Sequence, residues 1–311
     1  MAIHVNQELS ALAVDCHAKL GVTSSVSLRI NKLMNTKIVG ILNITPDSFS
    51  DGGRFDKASQ AIVHLQKMLE EGVDMIDIGA ESTRPNAAAL SQNEEWSRLE
   101  KILPQIIDAV KKFNCDNKKQ IQTSIDTYHP LTAQSAHKIG VNIINDVSGL
   151  ANDEMIDFIA ANKITTILMH NLSIRANPDI IINQALNVVR EILQFTHDKI
   201  AFLAKKGITK SQLIFDPGIG FAKNAAQSLR IIKNIDAFRA LDLPIYAGHS
   251  KKSFLDALNI ENLSNDKESR AQKTLIVSNY LARKNIDYIR VHDVLANKNA
   301  INSQNNFIQD L

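Results

Sequence analysis

The side chains that could do chemistry follow short apolar runs at eight separate places in this sequence. After each run stands a carboxylate, an amide, an imidazole or a cationic group. These groups are Asn43, Asp77, Asp126, Asn145, His170, Asp216, Lys252, and Arg290 with His292. Carboxylates and amides can hydrogen-bond a polar ring, and cationic side chains can hold an anion. One such residue alone is typical of a helix N-cap, whereas eight that meet on one rim indicate an active site.

The elements that must position these groups alternate between strand and helix. Short β-branched runs are followed by longer amphipathic runs, which is the pattern of repeated βα units and a parallel sheet. The predicted strands are Lys37–Leu42, Val73–Ile78, Ile121–Ile125, Val141–Ile144, Ile164–Met169, Leu213–Phe215, Leu243–Tyr246 and Tyr288–Val291. Eight such units over about 270 residues predict a (β/α)₈ TIM barrel; a doubly wound open sheet is the alternative. Pro104 lies inside the predicted helix 94–112 and predicts a kink or a break there.

Composition excludes several classes of protein. The chain has 311 residues, of which 44% are hydrophobic and 22% charged, and a formal charge of +2. These values exclude a disordered chain and argue against a nucleic-acid binder with a broad basic surface. The two cysteines, Cys16 and Cys115, form no disulfide framework, and we see neither a signal peptide nor about 20 consecutive apolar residues. We therefore expect a cytoplasmic protein without membrane or nucleic-acid partners, with residues 36–311 as one barrel domain and residues 1–35 as a short N-terminal extension.

Two long motifs and four shorter ones are similar, in order, to the signatures of the dihydropteroate synthase family. The long motifs are GILNITPDSFSDGG at 40–53 and DIGAESTRP at 77–85, and the shorter ones are SIDT at 124–127, NDVSG at 145–149, FDPGIGF at 215–221 and RVHDV at 290–294. The resemblance covers residue 37 to the C-terminus. It implies a (β/α)₈ fold and the condensation of 6-hydroxymethyl-7,8-dihydropterin pyrophosphate with p-aminobenzoate to dihydropteroate and pyrophosphate, in folate synthesis.

The resemblance also implies a role for each matching position. Asn43, Arg290, His292 and Lys252 match the catalytic positions. The pterin pyrophosphate site would comprise Thr83, Arg84, Asp126, Asn145, Met169, Asp216, Phe221, Lys252, Arg290 and His292. The p-aminobenzoate pocket, to which sulfonamide inhibitors would also bind, would comprise Phe49, Thr83, Pro85, Lys252 and Ser253. Asn43 and Asp51 match the Mg²⁺ site, and the family implies a homodimer.

Several alternatives stay open at the level of the sequence. Asp216 could serve only an Asp-Pro-Gly turn, and Met169 or Phe221 could be ordinary core residues. The loop after Met169 and the segment GHSKKS at 248–253 depart from the family pattern, the second by placing a lysine where the family has arginine. For the whole chain, the alternatives are a catalytically silent pterin binder or a barrel similar to the methyltetrahydrofolate methyltransferases.

Overall fold

The computed structural model describes residues 36–45, 54–81, 89–174 and 180–309. The strands, in chain order, are β1 (Lys37–Asn43), β2 (Met75–Gly79), β3 (Gln122–Asp126), β4 (Ile143–Asp146), β5 (Thr165–Met169), β6 (Leu213–Asp216), β7 (Tyr246–Ala247) and β8 (Tyr288–Val291). The α-helices are α1 (Arg54–Glu70), α2 (Gln92–Leu99), α3 (Leu103–Asn117), α4 (Pro130–Ile139), α5 (Asp153–Asn162), α6 (Val188–Lys205), α7 (Ala225–Lys233), α8 (Lys267–Arg283) and α9 (Val294–Gln309). No helix within these ranges is long and apolar enough to cross a membrane.

The eight strands form one parallel sheet that nearly closes on itself. Their order is β6-β5-β4-β3-β2-β1-β8-β7, and β6 meets β7 through an isolated bridge between Phe215 and Ile245. Consecutive strands are neighbours throughout, with a helical crossover between them. This order confirms the predicted (β/α)₈ barrel and excludes the doubly wound open sheet.

The predicted helix 94–112 is two helices. α2 ends at Leu99, and α3 begins at Leu103 with Pro104 in its first turn. Proline is tolerated in the first turn because the amide hydrogen it lacks would have no partner inside the helix. The sequence therefore placed the interruption correctly, and the structure shows a break.

Two other helix boundaries differ from the prediction, the first of them because of a capping residue. The predicted helix 183–205 begins at Val188, where the side chain of Asn187 accepts hydrogen bonds from the amides of Val189 and Arg190. The predicted helix 225–239 stops at Lys233, and a 3₁₀ helix, Ile235–Leu241, follows it. A capping side chain satisfies the exposed amides of the first turn, so it fixes where a helix starts.

The barrel interior changes from apolar to polar along the strand direction. An apolar layer lies inside the barrel, and its members are Val39, Met75, Ile143, Ile167, Ile214, Tyr246 and Tyr288. Side chains alternate faces along a strand, so the next inward position after Met75 on β2 is Asp77, and the next after Ile143 on β4 is Asn145. The strands thus carry a polar layer directly above the apolar one, towards their carboxyl ends.

Candidate active site

The polar layer is centred on the buried carboxylate of Asp77. Its Oδ1 accepts a hydrogen bond of 2.5 Å from Ser124 Oγ, and its Oδ2 accepts bonds of 3.1 Å from Asn145 Nδ2 and 2.6 Å from Arg290 Nε. These donors come from β3, β4 and β8, and the side chain of Asp77 is fully buried. A buried carboxylate is stable only when its oxygens are paired. Asp77 therefore joins four strands of the barrel and fixes the orientation of Arg290.

Arg290 lies between two carboxylates. While Nε bonds Asp77, Nη2 donates to Asp126 Oδ2 at 2.8 Å, and the arginine side chain is 22% exposed. Burial disfavours its charge, but Asp77 and Asp126 outweigh burial and raise the pKa of Arg290. Burial, opposed by Arg290 and reinforced by Asp77, raises the pKa of Asp126 above the ordinary value. The predicted anion-binding arginine is thus held by hydrogen bonds on one edge of its guanidinium group.

Asp216 ends β6 and combines the two roles weighed from the sequence. Its Oδ1 accepts a hydrogen bond of 2.7 Å from the amide of Gly218, which makes the Asp-Pro-Gly turn. No residue that the structure describes donates a hydrogen bond to its Oδ2. Burial raises the pKa of Asp216, while the nearby cation of Lys252 opposes that shift. One oxygen therefore serves the turn, and the second is available to a ligand.

Lys252 and Lys251 diverge at the end of β7. Lys251 is exposed, with φ of +57°, and its amide donates to Thr274 Oγ1 at 3.0 Å. Lys252 turns inward: its Nζ donates to the carbonyl of Ile219 at 2.5 Å and lies 4.5 Å from the centre of the Phe221 ring. Burial lowers the pKa of Lys252 to about 8, although Asp216 opposes that shift. The left-handed backbone at Lys251 is what separates the two side chains.

Asn43 and His292 complete the described part of the rim. Asn43 ends β1 beside Gly79; a Cβ atom on that glycine would lie 3.8 Å from Asn43 Oδ1 and 3.5 Å from Asp126 Cβ. His292 follows β8, and its Nδ1 lies 2.9 Å from Ser250 Oγ, whose side chain comes from the end of β7. Ser250 thereby orients the imidazole ring.

Most of the predicted site residues that the structure describes lie at the carboxyl ends of the strands. Met169 is buried at the end of β5, Phe221 is half-buried with Lys252 over its ring, and Ser253 is exposed at the start of a 3₁₀ helix, Ser253–Ala257. The other predicted residues, Phe49, Asp51, Thr83, Arg84 and Pro85, lie outside the described residues, as does the predicted extension 1–35.

Sequence reasoning gave no role to several residues that organise this site. Asp77 was named only among the polar groups that follow the strands, and Ser124 and Ser250 only as parts of longer motifs, so none of the three received a specific role. The available signal for Asp77 was its position: a carboxylate two residues after Met75, in an otherwise apolar strand, must face the barrel interior and so needs donors there.

Comparison with known proteins places this barrel in a class. The family described as pterin binding enzyme matches residues 39–292. A dihydropteroate synthase of Clostridium beijerinckii is 38% identical over 269 residues, which cover 85% of this chain and 91% of that protein.

Three solved structures of dihydropteroate synthases are similar to this chain. One from Anaplasma phagocytophilum with bound 6-hydroxymethylpterin-monophosphate has 37% identity and a TM-score of 0.77, covering 88% of this chain and 99% of that one. One from Xanthomonas albilineans with 4-aminobenzoic acid has 30% identity and a TM-score of 0.76, covering 90% and 95%. One from Yersinia pestis in a complex with a sulfonamide drug has 29% identity and a TM-score of 0.75, covering 88% and 95%.

The fold and the polar strand ends are those of a pterin-binding barrel enzyme. Within that class, the chain belongs to the dihydropteroate synthase family, whose members are transferases of folate biosynthesis.

Proposed function

We propose that this chain joins 6-hydroxymethyl-7,8-dihydropterin pyrophosphate to p-aminobenzoate, releasing pyrophosphate. The observation that carries the proposal is the convergence of Asp216, Asn145, Asp126 and Arg290 on one rim of a barrel of this family. The rim offers acceptors for a polar ring and cations for an anion at the same end of the barrel, which is what this pair of substrates requires.

The pterin ring would be bound by carboxylate and amide groups. Its amino group and ring N–H form a pair of parallel donors, and a carboxylate is the natural acceptor for such a pair. Oδ2 of Asp216 is available for one of these bonds, and Asn145 on β4 and Asp126 on β3 lie at the same end of the barrel. Lys252, with its Nζ against the carbonyl of Ile219, borders the same space.

The chemical step needs stabilisation of a leaving group. The bond between the pterin methylene carbon and the pyrophosphate oxygen breaks, and its electron pair departs with pyrophosphate. The amine nitrogen of p-aminobenzoate then forms the new C–N bond and releases a proton to solvent. Arg290 and His292 would stabilise the departing charge, since preorganised cations and donors favour charge that develops in the transition state. The carboxylates around Arg290 and the hydroxyl of Ser250 hold both side chains in place beforehand.

Magnesium fits the residue expected to hold it. Asn43 offers an amide oxygen at the carboxyl end of β1, on the side of the rim where Asp126 lies. Within the described ranges, no group of three His, Cys, Asp or Glu side chains is placed to hold a metal ion. Mg²⁺ commonly keeps several waters and binds through few protein oxygens together with phosphate oxygens. We therefore propose that Asn43, with Asp51, holds Mg²⁺ that accompanies the pyrophosphate and neutralises its charge.

Sulfonamides should compete with p-aminobenzoate and leave the pterin site accessible. The proposal rests on the resemblance at Phe49, Thr83, Pro85 and Ser253, and on the sulfonamide complex of the similar Yersinia pestis enzyme.

We also propose a cytoplasmic homodimer. Ile276 on α8 and Leu295 on α9 expose apolar side chains on two helices that pack together, which is consistent with a covered face.

Turnover by the purified chain tests the function directly. With both substrates and Mg²⁺ we expect dihydropteroate and one equivalent of pyrophosphate, and with excess chelator we expect the rate to collapse. Binding of the pterin substrate without turnover would instead identify a catalytically silent homologue. Full activity of Asn43→Ala would show that this residue does not hold the metal ion.

A further inference from the structure

A buried lysine joins the ends of β5 and β6 behind the proposed pterin site. Lys223 is 7% exposed. Its Nζ donates to the carbonyl oxygens of Phe221 at 2.7 Å and His170 at 3.3 Å, and it lies 3.0 Å from His170 Nδ1. An ammonium group has three hydrogens and no acceptor capacity, so these three contacts use it fully. Lys223 has no donor left for a substrate.

His170 can accept the third of these bonds because its ring is neutral. Burial, reinforced by the charge of Lys223, lowers the pKa of His170 to about 3. The ring is nearly buried and packs edge-on against Phe195, with centroids 4.7 Å apart. A neutral imidazole whose Nδ1 accepts carries its proton on Nε2. His170 therefore serves as an acceptor that faces the lysine.

The backbone segments that carry His170 and Lys223, after β5 and β6, are in close contact. The amide of His170 donates to the carbonyl of Asp216 at 2.9 Å. Gly218 has φ of +65°, and a Cβ atom there would lie 2.1 Å from the carbonyl oxygen of His170. A side chain cannot fit at that distance, so only glycine allows the approach. We call His170, Gly218 and Lys223 the β5–β6 clasp.

We propose that Lys223 is a positioning residue for the pterin site, which it serves through the β5–β6 clasp. The clasp fixes the backbone that carries three proposed pterin-binding residues, Met169, Asp216 and Phe221. Burial lowers the pKa of Lys223 to about 7, so below that pH its cation also favours the ionised form of Asp216, whose Oδ2 can then accept a bond from a ring donor. This inference rests on the proposed function, because it names what holds the pterin-binding residues in place.

Lys223→Met tests the inference, since methionine keeps the length of the side chain and removes both the charge and the donors. Lys273→Met is the matched control: Lys273 is also buried, but its Nζ donates to Asn265 Oδ1 at 2.9 Å and not to a residue at the end of β5 or β6. The probe is 6-hydroxymethylpterin monophosphate, with its affinity measured by calorimetry between pH 5 and 8. The Michaelis constant for p-aminobenzoate is measured alongside it.

We expect Lys223→Met to weaken pterin binding about 30-fold at pH 6, where Lys223 is charged, the scale of a lost charge-assisted contact, and to leave the Michaelis constant for p-aminobenzoate within about threefold. The loss of affinity on acidification, which is the acidic limb of the pH profile, should also begin at higher pH in this variant, because Lys252 and Arg290 would then be the remaining cations near Asp216 among the described residues. If Lys223 were purely structural, its substitution would lower the melting temperature, as we expect of Lys273→Met, without moving the acidic limb. Lys223→Arg should restore the acidic limb but not the full affinity.

Pterin affinity of Lys223→Met within threefold of wild type, or an unchanged acidic limb, would overturn the inference. If Lys223→Met does not fold, His170→Phe decides, since it keeps the packing on Phe195 and removes the acceptor. That variant should weaken pterin binding in the same direction, and unchanged affinity would again reject the clasp. Absence of pterin binding by wild type would reject the proposed function instead, so the two failures are distinguishable.

Discussion

At the scale of single residues, the two adjacent lysines after β7 give the sharpest contrast. Lys252 points into the rim towards Ile219 and Phe221, whereas Lys251 is exposed. We expect Lys252→Ala to lower kcat/KM by about 100-fold, the scale of a lost charged hydrogen bond. Lys251→Ala should cost far less, since a solvated charge contributes little. Steady-state kinetics of the two variants under the same conditions decide between them, and greater damage in Lys251→Ala would contradict the assignment.

Asp77 is the residue whose substitution should disturb the largest number of side chains in the site. Asp77→Asn replaces one of two acceptor oxygens by an amide that faces donors, so at least one of Ser124, Asn145 and Arg290 loses its partner. We expect kcat/KM to fall by about 100-fold and the free energy of unfolding to fall by about 3 kcal/mol, typical of a broken buried ion pair.

The control for Asp77 lies three residues earlier. Asp74 accepts a hydrogen bond of 2.8 Å from the amide of Ile38, far from the rim. Asp74→Asn should therefore have a small effect on stability and none on kcat/KM. Equal kinetics for Asp77→Asn and Asp74→Asn would show that Arg290 needs no carboxylate on β2 to work.

At the scale of elements, a chain of hydrogen bonds ties the end of β7 to two helices. His249 Nε2 lies 2.8 Å from Ser278 Oγ on α8, and Ser278 Oγ donates to Asn297 Oδ1 on α9 at 2.5 Å. His249 is completely buried, and burial lowers its pKa to about 4. The neutral ring therefore belongs to the folded state.

This lowered pKa gives a testable dependence of stability on pH. Below about pH 6.5 the unfolded chain takes up a proton on His249 that the folded chain refuses until about pH 4. The free energy of unfolding should therefore decrease on acidification across this window, by about 1.4 kcal/mol per pH unit from this residue. The free energy of unfolding can be measured by denaturant titration at several pH values between 7 and 5. Its slope against pH should be shallower by that amount in His249→Gln. The exposed His197→Gln should keep the wild-type slope, and a wild-type slope in His249→Gln would contradict the assignment.

The sequence predicted elements well where periodicity dominates and less well where single side chains decide. All eight strands were found, because a buried parallel strand is a continuous apolar run. β7 is shorter than predicted, Tyr246–Ala247 against 243–246. Pro244 has no amide hydrogen to give to a ladder, and the amide of Ile245 donates to Asp287 Oδ2 instead. Such a bond between residues 42 positions apart cannot be read from a local pattern.

The same limit applies to the site. Asp126, Asn145, Asp216, Lys252 and Arg290 could be named because strand ends and family motifs both point to them. The network that orients them could not, since hydrogen bonds such as that from Arg290 to Asp77 depend on strand register and side-chain rotamers across the barrel. Lys223 was missed for a related reason: nothing in its local sequence indicates that it is buried.

At the scale of the whole molecule, the proposed dimer can be tested on the exposed apolar residues of α8 and α9. A charge in a packed interface is costly when unpaired, so Ile276→Glu should shift the molecular mass in light scattering from twice the chain mass towards that of one chain. Val63→Glu, at an exposed apolar position on α1, is the control and should change nothing. A wild-type monomer at micromolar concentration would contradict the proposal.

The near-closure of the barrel also has a kinetic consequence. Among the described residues, β6 and β7 share one isolated bridge, Phe215–Ile245, where other neighbouring strands share a ladder. Asp216 ends β6, and Lys252 lies in the loop that follows β7. A ligand bonded to both residues would therefore hold the two strands together. Local opening sets amide hydrogen exchange in a folded protein. We expect the amides of Phe215 and Ala247 to exchange faster than those of β2 in the ligand-free protein, and to slow most of all when a pterin is added.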